Sequence, residues 1–291
     1  MTNKKKMHIL AMTTILFWAL AFPASKIAMK HYNPFSLAFL RVTIASCVLL
    51  IIGKATGMRP PKKEDLVWFL LSGACGFGIY LFFFNLGMQT VTSATGSIII
   101  ALTPVMTAIG AHHIYRERIN IVGWISMAAA FGGVLIMMLW NGILSFNFGM
   151  LWVFCAAVLF CIYNLLNRRF ASQGYKAIEI VTYSMVASAL ILSPFSVRGF
   201  RELSIAQPKE IITLLVLGAV CSGIAYFLWS LAMSYATYTS EVANYSFTTP
   251  FVASILAALM MGEVPDTSPI VGGLVIIVSI LVFSFRGKEK I

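Results

Sequence analysis

Ten apolar stretches, each about long enough to cross a bilayer as a helix, constrain this chain more than any other feature. They fall at residues 8–28, 34–53, 66–88, 93–113, 119–140, 148–168, 177–197, 210–234, 238–261 and 268–286. A membrane-crossing helix needs roughly 20 largely apolar residues, and in hydrocarbon only a helix or a closed barrel satisfies its own backbone. The breaks carry helix-ending chemistry: Asn33-Pro34, Arg59-Pro60-Pro61, Asn141-Gly142, Gln207-Pro208 and Pro265-Asp266. The connections between spans are too short for a separate soluble domain. Composition agrees, with 59% of residues hydrophobic and 11% charged, against about 25% charge in soluble domains. A soluble enzyme and a disordered chain are both excluded. Lys4-Lys5-Lys6 before an apolar run resembles a signal peptide; nine further spans make an uncleaved first helix the expectation.

The basic residues set an orientation. With the N-terminus inside, 15 of the 21 Lys and Arg fall on the inner side: Lys4, Lys5, Lys6, Lys54, Arg59, Lys62, Lys63, Arg116, Arg118, Arg168, Arg169, Lys176, Arg286, Lys288 and Lys290. Lys30, Arg198, Arg201 and Lys209 fall outside, and Lys26 and Arg41 lie within spans. Cytoplasmic loops collect Lys and Arg, so both termini are expected in the cytoplasm. The net charge of +11 needs no nucleic acid to explain it.

A shift of 146 residues brings the two halves into register. Cys75 falls on Cys221, Tyr80 on Tyr226, Thr103-Pro104 on Thr249-Pro250 and Glu117 on Glu263. The expected fold is therefore all-α: ten transmembrane helices as two five-helix repeats, residues 1–142 and 143–291. An odd number of spans inverts one repeat relative to the other, the design of secondary transporters. Charge fits inversion, since Arg116 and Arg118 flank Glu117 whereas Asp266 follows Glu263.

Three elements together carry a family resemblance. They are Trp18-Ala-Leu-Ala-Phe-Pro-Ala-Ser-Lys26, the Asn33-Pro34…Arg41 entry, and the paired segments Pro104…Glu117 and Pro250…Glu263. They resemble the EamA family of the drug/metabolite transporter superfamily over essentially all ten spans. The resemblance implies a ten-helix inverted-repeat carrier with a central cavity lined by both halves. Members often export amino acids or other small metabolites; some superfamily relatives carry nucleotide sugars, sugar phosphates or hydrophobic drugs.

Ionisable groups inside spans are costly and by default functional. Three stand out: Lys26, Arg41 and Glu241. At 3.6 residues per turn Glu241, Asn244, Tyr245 and Thr248 share one face, so Glu241 is the expected proton-coupling site or the partner of a substrate amine. It also stands about one turn from the cytoplasmic end, where an interfacial role remains open. The resembled family usually has a small residue nearby, so the acid marks a subgroup. Lys26 and Arg41 match positions often basic in the family. They suit a substrate carboxylate or phosphate, or snorkel to the outer interface.

Pro104 and Pro250 are expected as paired mid-span hinges, freeing the carbonyls of Ile100 and Ser246, which could also ligate sodium. Ser97, Thr103 and Thr107 form a polar face around the first. Aromatics and amides complete the expected cavity: Trp18 and Phe22; Tyr80, Phe84, Asn85 and Gln89; Tyr163, Asn164 and Asn167; Tyr226, Trp229 and Ser230. Such walls with a few polar anchors suit an amphipathic or zwitterionic solute.

Other patterns have simpler readings. Gly73 to Gly78 reads GxxGxG inside a span, a close-packing surface rather than a phosphate loop. His112 and His113 are adjacent and point apart on a helix. Glu117 and Glu263 read as caps or ion-pair partners, and the five cysteines as small buried hydrophobes. There is no GxxxxGK[ST] segment, no metal or cofactor motif and no catalytic constellation. The expected function is gradient-driven transport of a small molecule, export favoured over import, with protons or sodium as coupling ion; a passive channel is the alternative.

Overall fold

The computed structural model describes residues 3–116, 119–139, 148–236, 242, 244–262 and 267–286, and among them every regular element is helical. Six helices are long and apolar enough to cross a membrane: α1 (Asn3–Ala28), α2 (Pro34–Ala55), α3 (Lys63–Met88), α4 (Ser93–Tyr115), α6 (Phe148–Ser172) and α9 (Pro208–Tyr235). Between and after them lie α5 (Ile121–Leu139), α7 (Ala177–Ile191), α8 (Ser196–Ser204), α10 (Thr249–Met261) and α11 (Thr267–Arg286). Shorter apolar stretches occupy α5, α10 and α11. This is an integral multi-pass membrane protein.

The seventh apolar stretch is not one straight span over 177–197. It ends at Leu192, turns through a 3₁₀ segment at Ser193–Phe195 around Pro194, and bends by 55° into α8. Proline forces the break because it donates no backbone hydrogen bond. Helix α8 then lies across the N-terminal part of α2, where a Cβ on Gly199 would meet Phe39 at 3.3 Å and Leu40 at 3.4 Å.

Irregular features recur 146 residues apart. Helix α3 loosens to π pitch over Ala74–Gly78, and α9 does so over Val216–Ile224. The segments Thr103–Tyr115 and Thr249–Met261 are each 13 residues. Both end on a left-handed residue, Arg116 at φ 53 and Gly262 at φ 67. That conformation closes a helix C-terminus and suits glycine, so an arginine there reflects position rather than preference. Packing recurs too: α3 lies on α6 as α9 lies on α1, α2 on α9 as α7 on α3, and α4 on α6 as α10 on α1. Helices α2 and α7 pack together, as do α5 and α11.

Small residues allow these approaches. A Cβ on Gly73 would fall 2.4 Å from the Ser184 carbonyl, and one on Gly218 would fall 2.8 Å from Ile44 and 3.3 Å from the Arg41 carbonyl. The GxxGxG stretch is thus a packing surface, with Gly76 seated under the Tyr163 ring. The same contact geometry equates Arg41 with Ser184, so only one of the two crossings carries a guanidinium.

Pro104 and Pro250 each stand at a break in the helical run. Each sits in the first turn of a helix that restarts after a break, Ala101-Leu102 in α4 and the 3₁₀ segment Asn244–Thr248 before α10. There proline's missing N–H costs nothing. The Ile100 carbonyl is not bare, because the Thr103 hydroxyl donates to it at 2.6 Å.

Candidate functional site

Where α1, α2, α3, α6, α9 and the start of α10 meet, they enclose a narrow cavity. Trp18, Phe22, Tyr80, Phe84, Phe160 and Tyr226 form its aromatic walls, with Ser246 and Thr249 at its polar margin. About 30 Å³ is open to water centres, room for roughly two waters. The rings interlock: Trp18 meets Tyr226 at 4.9 Å and Phe160 at 5.4 Å between centroids, and Phe22 meets Phe84 edge-on at 5.3 Å.

Among the described residues, Arg41 is the one charged side chain on this wall. The residue is 3% exposed, and among the described residues its guanidinium donates to hydroxyls alone, from Nη1 to Ser25 at 3.1 Å and from Nε and Nη2 to Ser222 at 3.3 and 3.2 Å. Among the described residues no carboxylate pairs with it. An ion out of water is costly unless paired, and a guanidinium has five N–H groups in a planar fork, so two remain beyond those three bonds. Nearby, the buried Trp18 Nε1–H finds no acceptor among the described residues. The Arg41 fork therefore has donors to spare and calls for an acceptor.

Beyond the C-terminal end of α2, Arg59 and Glu179 close a clasp between the α2–α3 connection and the start of α7. The fully buried Glu179 carboxylate accepts the Arg59 backbone amide at 3.0 Å, its Nε at 3.1 Å and the Lys176 amide at 2.8 Å. Its hydrogen bond and its charge hold the Arg59 guanidinium above its ordinary range. Tyr175 joins in, donating to Asp65 at 2.7 Å.

Residues 5–139 match the EamA-like transporter family, and residues 147–285 match it again. The chain belongs to that family. Its relatives include a probable terminal-alkyne amino-acid exporter of Streptantibioticus cattleyicolor, 28% identical over 94% of this chain and 91% of the relative. An uncharacterized transporter, YdfC, of Bacillus subtilis is 27% identical over 94% and 90%. An S-adenosylmethionine uptake transporter of Rickettsia prowazekii is 27% identical over 91% and 88%. A crystal structure at 18% identity superposes with a TM-score of 0.72 over 96% of this chain and 98% of its own, which shows a shared fold. An EamA-family chain of the drug/metabolite transporter superfamily is a transporter, not an enzyme.

Within this EamA transporter the structure gathers six of the expected site residues, Trp18, Phe22, Arg41, Tyr80, Phe84 and Tyr226, around one cavity. Others lie elsewhere. Asn85 is buried and donates to the Pro34 carbonyl at 2.9 Å, fixing α3 to the start of α2. Ser97 bonds its own helix at Ala94. Tyr163 packs under α3 and accepts from Asn167, while Asn164 accepts the Trp229 indole at 3.3 Å and Ser230 donates to Asn167 at 3.2 Å. These groups tie α6 to α9 behind the aromatic wall. Lys26, half-buried in the last turn of α1, does not line the cavity.

The shared face of Glu241, Asn244, Tyr245 and Thr248 assumed α pitch, but Asn244–Thr248 is 3₁₀, which turns each side chain further round. Tyr245 bonds the His8 ring at the start of α1 and does not line the cavity, and Thr248 bonds the Tyr245 carbonyl. Glu241, Glu117, Glu263 and the Asn244 side chain lie outside the described residues. Sequence reasoning missed Phe160, Cys221 and Thr249 on the lining, offered Ser246 only through its backbone carbonyl, and missed Ser25 and Ser222 as the holders of Arg41. The 146-residue register offered Thr249 through Thr103 and Cys221 through Cys75. A serine in an apolar run announces nothing without its partner.

Proposed function

We propose that this EamA transporter is a ten-span, inverted-repeat carrier in the cell membrane, with both termini in the cytoplasm, that exports a small amino-acid-like solute by alternating access. The observation that carries the substrate class is the buried Arg41 fork, held by two serines and facing an aromatic cavity. It suits a carboxylate, which it grips through two parallel charge-assisted bonds. The rings around it suit an apolar side chain, or an ammonium through cation–π attraction. The name of the Streptantibioticus relative, an amino-acid exporter, agrees with that chemistry.

The doubled family match, the recurrence of π segments and left-handed caps, and packing that is unchanged on exchanging the halves support the repeat. The bent α7–α8 pair and the three shorter apolar helices bring the spans to ten, with residues 1–142 and 143–291 as the two units. A cavity with room for roughly two waters fits a closed, occluded state, so solute enters only when one end parts. Glu241 serves as the proton-coupling residue, on sequence grounds. Counterflow in proteoliposomes tests the reading: a labelled amino acid inside should exchange for unlabelled amino acid outside and fail to exchange for its carboxamide. Equal exchange with the carboxamide, or passive flux without saturation, rejects it.

A further inference from the structure

Packing sorts the helices into two groups, each drawn from both halves of the chain. Helices α2, α9, α1 and α10 pack in succession, and so do α7, α3, α6 and α4. The cavity lies between the groups, and Arg41 with its holders Ser25 and Ser222 belongs wholly to the first. On either side of the cavity a helix of one group meets a helix of the other. Phe22 of α1 lies edge-on to Phe84 of α3 at 5.3 Å. Beyond Tyr226, towards the C-terminal ends of α6 and α9, Trp229 Nε1 donates to Asn164 at 3.3 Å and the Ser230 hydroxyl donates to Asn167 at 3.2 Å.

These two contacts occupy matching places in the repeat. A shift of 146 residues takes Trp18 to Asn164 and Phe84 to Ser230, and takes Phe22 to the neighbour of Asn167. Their chemistry is opposite. Phe22 and Phe84 are each 3% exposed, and at the same end Phe35 of α2 stacks on Phe82 of α3 at 4.6 Å. The counterpart consists of two amides, a hydroxyl and an indole N–H, on residues no more than 2% exposed. Parting rings exposes apolar surface to water. Parting the amides exchanges hydrogen bonds within the protein for hydrogen bonds to water, at small net cost. The Trp229 ring clusters with Met7, Ala11 and Ile15 of α1, in its own group, so separation from α6 bares chiefly its N–H. Buried amides are costly in an apolar span unless partnered, and a place that alternates between a dry and a wet state accounts for them.

We infer that Asn164, Asn167, Trp229 and Ser230 form the gate through which solute enters, that Phe22 and Phe84 form the opposite gate, and that without solute the polar gate opens while the aromatic one stays shut. The inference rests on alternating access and on the proposed orientation, which turns the polar gate to the cytoplasm, where an exporter loads. The Arg59–Glu179 clasp and the Glu202 carboxylate, which accepts the Asn33 amide at 3.0 Å, bind the α2–α7 side at both its ends. That side is the seam about which the groups turn.

Distances between spin labels test this on the full-length protein in nanodiscs without added solute, with native cysteines replaced by alanine. The Ser172→Cys and Ser234→Cys pair, across the polar gate, should show a second, longer population. The Lys30→Cys and Gln89→Cys pair, across the aromatic gate, should show a single short one. Asn167→Leu with Ser230→Ala removes both partners of one hydrogen bond, a nearly neutral exchange, and should abolish the long population. Phe84→Ser, which gives the aromatic gate its counterpart's residue, should create one at the other pair. A long population across the aromatic gate of the parent, a single distance at both ends, or a long population that survives the double substitution overturns the inference. The parent's own distances decide the point should a variant fail to fold, and without solute they are independent of the carboxylate reading. An impermeant maleimide on intact cells reads sidedness: protection of Ser172→Cys supports loading from the cytoplasm, and labelling overturns it.

Discussion

Replacing Arg41 by methionine separates a transport role from a structural one. The substitution removes three hydrogen bonds of 3.1–3.3 Å to Ser25 and Ser222. Bonds from a charged donor contribute about 1.5–3 kcal/mol each. Against that, holding the ion out of water costs several kcal/mol, and both serine hydroxyls can turn back to carbonyls of their own helices. Methionine refills most of the apolar stem. The opposing terms nearly cancel, so the folded protein should be as stable as the parent, or more so. Transport should behave otherwise. Losing a two-bond grip on a carboxylate, about 3 kcal/mol or more, lowers transport efficiency for a carboxylate solute at least about 100-fold. Arg41→Lys keeps a point charge without the fork and should retain about a tenth of parental efficiency. Thermal unfolding in detergent and counterflow in proteoliposomes read the two quantities on the same preparation. A large fall in unfolding temperature for Arg41→Met, or carboxylate transport surviving it, refutes the reasoning.

Three further outcomes follow from the geometry. Gly73→Ala puts a methyl 2.4 Å from the Ser184 carbonyl and should cost about 1–3 kcal/mol by forcing α3 from α7; Gly132→Ala, with nothing within 4 Å, should not lower the unfolding temperature. Asn85→Leu strips the buried Pro34 carbonyl of its donor and should destabilise by about 1–3 kcal/mol, yet leave the half-saturating solute concentration unchanged, because Asn85 does not line the cavity. Glu241→Gln should remove the pH dependence of transport in proteoliposomes while leaving folded yield intact; full pH-dependent activity in that variant would take Glu241 out of the mechanism.

Much of the architecture was legible because hydrocarbon leaves a chain few choices. Apolar runs of span length read directly as helices, and the 146-residue register anticipated paired features down to Thr103 and Thr249. What escaped were places where helices stop being regular. Pro104 and Pro250 announce a break in each run, but not that the helix restarts at the proline itself after a turn with no other breaker. The 3₁₀ segment Asn244–Thr248 undid an argument built on 3.6-residue spacing. For the site, a charge inside an apolar run was the strong signal, and Arg41 stands on the cavity wall. Aromatic residues carried less, because Tyr163 and Trp229 on the same helices as Tyr226 and Phe160 turn into protein instead. Which face of a span looks inward depends on neighbours far away in sequence, and periodicity within one span does not supply them.

Ligand-induced stabilisation tests the central claim most directly. The purified protein should be screened by thermal unfolding against amino acids and their carboxamides at matched concentrations. A solute that binds the folded form raises the unfolding temperature in proportion to its affinity. The account predicts that at least one amino acid stabilises the parent, that its carboxamide does not, and that Arg41→Met, itself folded, responds to neither. Equal stabilisation by acid and carboxamide, or an undiminished response in Arg41→Met, would contradict a carboxylate held by Arg41 in the central cavity.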